Sequence, residues 1–109
     1  MDIIPSARFI REFKKLKRKY PSIFNDVDKL TESFKENPTI GEPLGKDCYK
    51  IRMAIASKNK GKSGGARVIT CVKIVDDTLY LLSIYDKSEQ ENMPDDEIDA
   101  VLKSLGLLP

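Results

Sequence analysis

With 109 residues, 33% charged and 40% apolar side chains and a net charge of +2, the chain has the length and balance of one soluble domain with a single core. It has no histidine and only two cysteines, which excludes Ser-His and Cys-His nucleophiles and any recognisable zinc site. Its apolar runs are too short for a bilayer span or for the apolar part of a signal peptide, so a cytoplasmic location with free thiols is expected.

The small net charge conceals segregation. Residues 8–19 carry seven basic side chains against Glu12 alone, and from Asp86 to Asp99 seven acids face only Lys87. Asp2 to Pro5 is short and apolar, suited to a brief edge strand. Ser6 is an expected N-cap, after which Phe9, Ile10, Phe13, Leu16 and Tyr20 form one stripe of an amphipathic helix. Pro21 breaks it and Ser22 is placed to cap the next helix, where Ile23, Val27, Leu30 and Phe34 repeat until Asn37-Pro38. The two stripes read as core, and the pair as a helical hairpin.

Thr39 to Asp47 holds Gly41, Pro43 and Gly45 and reads as a loop with a short strand inside. Tyr49, Ile51, Met53 and Ile55 then alternate with Lys50, Arg52, Ala54 and Ala56. Period two makes this a half-buried strand and puts Lys50 and Arg52 on one face. Asn59 to Gly65 is too rich in Gly and Lys to be ordered by packing. Arg67 to Val75 is a β-branched central strand. Asp76-Asp77-Thr78 turns the chain into a third strand, Leu79 to Tyr85, completing an antiparallel meander. After a polar connection, Pro94 and the acids Asp95, Asp96 and Glu97 open a last helix with Ile98, Val101, Leu102 and Leu105 on its apolar face and Gly106 at its end. The expected fold is α+β, a single domain over residues 1–109 in the order (β)ααβββα, with the helical hairpin packed on a small antiparallel sheet.

Between Cys48 and Val75 stand seven basic residues, Lys50, Arg52, Lys58, Lys60, Lys62, Arg67 and Lys73, and no acid. Such a run is either a solvated loop or a surface for a polyanion, of which a nucleic-acid backbone is the commonest. Ala56 to Ser63 imitates a P-loop without its first glycine, but Gly64-Gly65 and a strand follow where a helix must receive the phosphates. The carboxylates at Asp95–Asp99 are explained by a helix N-terminus, and no metal site is expected there. In the meander, Arg67 and Lys87 are neighbours, while the separation of Lys50 from Arg67 is left open. Cations gathered on a sheet can clamp a phosphate as its charge develops, and crowding can lower a lysine's pKa enough for it to act as a base.

Asp47-Cys48-Tyr49-Lys50-Ile51-Arg52, the Gly-Lys-Ser-Gly-Gly-Ala-Arg-Val-Ile of residues 61–69 and the Leu-Leu-Ser-Ile-Tyr-Asp-Lys of residues 81–87 resemble the RelE/HigB toxins of bacterial type II toxin–antitoxin modules. The resemblance extends over nearly the whole chain. It implies an endoribonuclease that cleaves mRNA in the ribosomal A site without a metal or other cofactor, the RNA 2′-hydroxyl attacking the adjacent phosphate. It assigns Lys50 and Arg52 to the basic pair of the first long strand, Arg67 to the pentacoordinate phosphate, and Lys87 to the leaving group or the RNA backbone. Tyr85 stacks on a base, orients a hydroxyl or simply packs. Lys58, Lys60, Lys62 and Lys73 are assigned to RNA contacts. The implied partners are mRNA, the ribosome and a cognate antitoxin of helix-turn-helix type, with no membrane. Two departures stand out: Ser88 occupies a place where some relatives carry arginine, and no tyrosine follows Tyr85. They keep open a degenerate toxin that only binds its antitoxin, and the wider family keeps open a ParE-like inhibitor of DNA gyrase.

Overall fold

The computed structural model describes residues 1–108. Its elements are β1 (Asp2–Pro5), α1 (Ala7–Lys19), α2 (Ile23–Phe34), β2 (Glu42–Gly45), β3 (Cys48–Met53), a short 3-10 turn (Ala56–Lys58), β4 (Ala66–Lys73), β5 (Thr78–Asp86) and α3 (Asp95–Ser104). The five strands form one sheet in the order β1-β5-β4-β3-β2. The expected meander is its centre, β3-β4-β5. The sheet as a whole is mixed, not antiparallel, because β1 runs parallel to β5 with Asp2 opposite Thr78 and Pro5 opposite Leu81. The reason is topological: the helical hairpin carries the chain from one edge of the sheet to the other. Pairing across such a gap is not local, so nothing in the sequence of β1 declares its direction. Among the described residues, no helix is long and apolar enough to cross a membrane.

Ser6 caps α1 as expected. Its Oγ accepts from Phe9 N–H at 3.0 Å and donates to the Leu82 carbonyl at 2.9 Å, so one hydroxyl both starts the helix and ties it to β5. Ser22 does not cap α2. Its hydroxyl is engaged with Asp26 at 2.7 Å and with the backbone N–H of Ser57 at 2.9 Å. Asp26 in turn accepts from Ala56 N–H at 3.2 Å. The start of α2 therefore holds the 3-10 turn, a long-range task that outweighs the local cap.

Period two sorts the strand residues between two cores. Phe9, Leu16, Tyr20, Ile23 and Phe34 of the helical hairpin pack on Ile51, Met53, Val68 and Ile84. On the opposite face, Ile98, Val101 and Leu102 of α3 pack on Cys48, Ile69, Cys71, Leu82 and Tyr85. Gly106 at φ +73° ends α3, with Leu107 N–H reaching back to the Leu102 carbonyl at 2.8 Å. Lys50 and Arg52, alternating with Ile51 and Met53, take the α3 face.

Gly65 is required by close approach. A Cβ there would stand 2.2 Å from the Met53 carbonyl oxygen and 3.0 Å from Ala54 Cα, both backbone atoms that cannot turn aside. Gly65→Ala is therefore expected to lower stability by about 1–3 kcal/mol, the usual range for overpacking. Urea unfolding checks it, as a lowered midpoint at unchanged slope.

Candidate functional site

Strand register gathers most of the candidate residues. Arg52 pairs with Arg67 across β3 and β4, and Arg67 pairs with Tyr85 across β4 and β5. This row of three lies on the face that α3 covers only in part. Lys50 stands two residues beyond Arg52, opposite Ile69, so the separation left open by the sequence is one step along the same face. At the other end, Lys87 N–H donates to the Gly65 carbonyl at 3.1 Å, extending the ladder and putting Lys87 beside the row, with its side chain exposed.

Arg67 is the centre. Only 4% of it is exposed. Its Nη1 donates to the Lys62 and Ala66 carbonyls at 3.0 Å each, and its Nη2 to the Ser63 carbonyl at 3.2 Å. A guanidinium has five N–H donors, so Nε–H and one Nη2–H have no protein acceptor among the described residues. Burial pushes the Arg67 pKa down, the nearby Arg52 charge adds to this, and Tyr85 opposes it. The loop of residues 59–65, expected to lack order, is instead laced to the strand by this one side chain. A run of Gly and Lys cannot order itself by burial, but its carbonyls can be collected by a buried cation.

Tyr85 is 5% exposed, and its ring belongs to the α3 cluster. A ring so enclosed is not offered for base stacking. Its hydroxyl is buried without a hydrogen-bond partner, the Met93 backbone approaching without completing one. Burial raises its pKa and the Arg67 charge partly offsets this, so the phenol stays protonated and keeps its O–H to donate. Lys50 is held by Asn92 at 2.9 Å and Glu42 at 3.3 Å. It is surrounded by acceptors rather than by other lysines, so the crowding expected to make a lysine base is absent at Lys50.

The four lysines assigned to RNA contacts fall in three places. Lys60 and Lys62 are exposed on the loop and make no ion pair among the described residues. Lys73 lies six residues along β4 from Arg67, roughly 20 Å at strand rise, and is bound to Asp47 at 3.0 Å. Lys58 points to the helical-hairpin side of the sheet, where its ammonium meets Asp86 at 2.6 Å.

Asp86 is the functional candidate that sequence reading missed. It is 1% exposed and also accepts from the Tyr20 hydroxyl at 2.5 Å and from Ser88 Oγ at 2.8 Å. Hydrogen bonds from Lys58, Tyr20 and Ser88 outweigh the cost of burial and hold the carboxyl far below the usual range. Ser88, noted for the arginine it replaces, completes this network. An open groove of about 1060 Å³ runs between α2 and the edge of β3. It exists because β2 pairs with β3 only as far as Lys50, and Lys50, Arg52 and Lys62 line it alongside Leu30, Ile40 and Met53. The groove meets the row at Arg52.

A family model described as the RelE toxin of the RelE/RelB toxin–antitoxin system matches residues 7–106. An Escherichia coli RelE toxin structure, a double arginine mutant in the free state, superposes with a TM-score of 0.62 at 20% identity, covering 95% of this chain and 96% of that one. The isolated E. coli RelE toxin gives a TM-score of 0.61 at 20% identity, over 94% and 97% of the two chains. At that identity the superpositions carry the fold, and the family rests on the match over residues 7–106.

Proposed function

The chain belongs to the RelE toxin family, and on that premise we propose that it is an endoribonuclease that cuts mRNA during translation at the ribosome, restrained by a cognate antitoxin of helix-turn-helix type. The observation that carries the reading is the row Arg52, Arg67 and Tyr85 on one sheet face, flanked by Lys50 and Lys87.

In this reading the substrate phosphate sits against the open edge of Arg67, where Nε–H and Nη2–H suit two oxygens of one phosphate. The 2′-hydroxyl attacks phosphorus, and negative charge grows on the equatorial oxygens. Arg67, already fixed by three carbonyls, needs no reorganisation to meet that charge, and Arg52 adds a second cation beside it. Tyr85 is the neutral donor of the row. The Asn92–Met93 segment over it has to move aside for its hydroxyl to reach a phosphate or leaving oxygen, and the Lys50–Asn92 bond is the latch. Lys87 lies where it can hold the leaving group or the next phosphate. Lys60 and Lys62 guide the RNA strand, and the groove beside Arg52 receives its continuation. Lys73 is too distant to share in this. Lys60→Ala and Lys62→Ala are expected to weaken RNA binding and flatten its salt dependence, whereas Lys73→Ala changes cleavage less than about 2-fold, the effect of a distant surface charge screened beyond about 10 Å. Cleavage of a translated message at several salt concentrations checks all three.

The test of the reading is to induce the protein in bacteria and map new 5′ ends in their transcripts, with translation running and blocked. Cuts within reading frames that stop when translation is blocked support it. Cuts that persist make the protein a free ribonuclease. Growth arrest with intact transcripts and DNA-damage signalling would replace it by gyrase inhibition, and no arrest by a degenerate toxin.

A further inference from the structure

The two cysteines take no part in the chemistry above, yet the sheet sets them face to face. Cys48 on β3 is directly opposite Cys71 on β4. The adjacent pair is hydrogen-bonded, Val72 N–H donating to the Asp47 carbonyl at 2.9 Å. Antiparallel pairs alternate, so Cys48 and Cys71 form a non-hydrogen-bonded pair, with Cα atoms about 4.5 Å apart. That separation falls within the range of about 4.4–6.8 Å that disulfides span. Both side chains leave the sheet on the α3 side. Both thiols are directed at one acceptor, the Lys46 carbonyl oxygen, 3.4 Å from the Cys48 sulfur and 3.7 Å from the Cys71 sulfur. Two sulfurs that share one oxygen are within reach of each other.

We propose that Cys48 and Cys71 are a redox-modification site, at which a cross-strand disulfide forms when the protein meets a disulfide oxidant such as glutathione disulfide. Both thiols are buried, but Cys48 lines a small cavity of about 80 Å³ between the β2–β3 turn and the start of α3, with Lys46, Asp95 and Asp99. The cavity is too small for the oxidant, so the start of α3 has to swing away from the β2–β3 turn to admit it. Cys48 is then the first sulfur to be reached, forming a mixed disulfide and releasing one glutathione. Its contact with Cys71 and its burial hold this thiol protonated, which makes this the slow step. Cys71 then attacks Cys48 and displaces the second. Two S–H bonds break, one S–S bond forms, and the two electrons and two protons leave on two molecules of glutathione. The Cys71 thiol is suited to the second step. Its contact with the Cys48 thiol lowers its pKa, burial opposes this, and the Lys73 charge lowers it further. The bond closes a ring over Tyr49–Thr70, the segment that carries Lys50, Arg52, the lysine loop and Arg67, and so restricts the unfolded chain.

The experiment treats the native, full-length protein with glutathione disulfide and follows intact mass, free thiols and melting temperature. The expected result is a monomer lighter by two hydrogen atoms, no titratable thiol, a Cys48–Cys71 cross-link in the peptide map, and a raised melting temperature that dithiothreitol reverses. Cys71→Ser should instead accumulate a glutathione adduct at Cys48. The peptide map of the unsubstituted protein decides the matter even if that variant folds poorly. Stable glutathione adducts on the unsubstituted protein, disulfide-linked dimers, or thiols that react only after denaturation would each overturn the proposal.

Discussion

Arg67→Ala is expected to abolish growth arrest and to slow RNA cleavage by about 100- to 1000-fold, the usual loss when a preorganised donor to a developing oxyanion is removed. The size follows from its position. Arg67 is the middle of the cross-strand row, its charge is buried, and two of its donors are left over after three carbonyls have fixed the rest. The same bonds also hold the loop, so the alanine variant loses more than a cation. Each hydrogen bond from a charged group contributes about 1.5–3 kcal/mol, with the lower end apt here because water can reach the freed loop carbonyls. Arg67→Lys separates the two roles: it restores a charge without the planar fork that binds two oxygens at once. If orientation matters, the lysine variant stays far below the parent in cleavage while recovering part of the melting temperature. Cleavage of a translated mRNA, measured beside thermal melts of all three proteins, reads both effects. Parental cleavage by the alanine variant would move the active site elsewhere.

Much of this site could be read from the chain because its signals are local. Alternation of Tyr49, Ile51 and Met53 with Lys50 and Arg52 fixes which side chains share a face, and the short turn at Asp76-Asp77 fixes that β4 and β5 are neighbours. The element order followed from the same periodicities. What escaped depends on contacts far apart in sequence. Lys58 and Lys73 look like members of one basic cluster when charges are counted along the chain. A 3-10 turn sends the first to the opposite face, and strand rise carries the second to the far end of β4. Ser22 has the composition of a cap and is used to tether residues of another element. Asp86, in a segment that reads as strand end and acidic connection, carries no local sign of its partner Tyr20, which comes from the end of α1.

Asp86→Ala is expected to be strongly destabilising, by about 3–5 kcal/mol, because it strands a largely buried cation that the carboxylate now neutralises. The Lys58 side chain is only 11% exposed and its ammonium sits at 2.6 Å from Asp86, so little solvent replaces the lost partner. Asp86→Asn keeps the shape and a hydrogen-bond acceptor for Tyr20 but not the charge, and should fall between the two. The pH dependence has a definite sign. The carboxyl is held far below the about 3.9 of an unfolded aspartate. Its contribution is therefore complete above about pH 5, a unit over that value, and is lost as pH falls from there toward the depressed folded pKa. Melting temperatures of the parent should drop over that acid range, and the asparagine variant should lack this part of the slope. The network also bears on function without touching RNA. Asp86 ends β5, between Tyr85 and Lys87, and through Lys58 it anchors the loop whose other end is laced to Arg67. Loosening it should let both ends of the site drift, lowering the cleavage rate of the protein that remains folded. If folded Asp86→Asn protein, assayed below its melting temperature, cuts RNA at the parental rate, the network serves the fold alone.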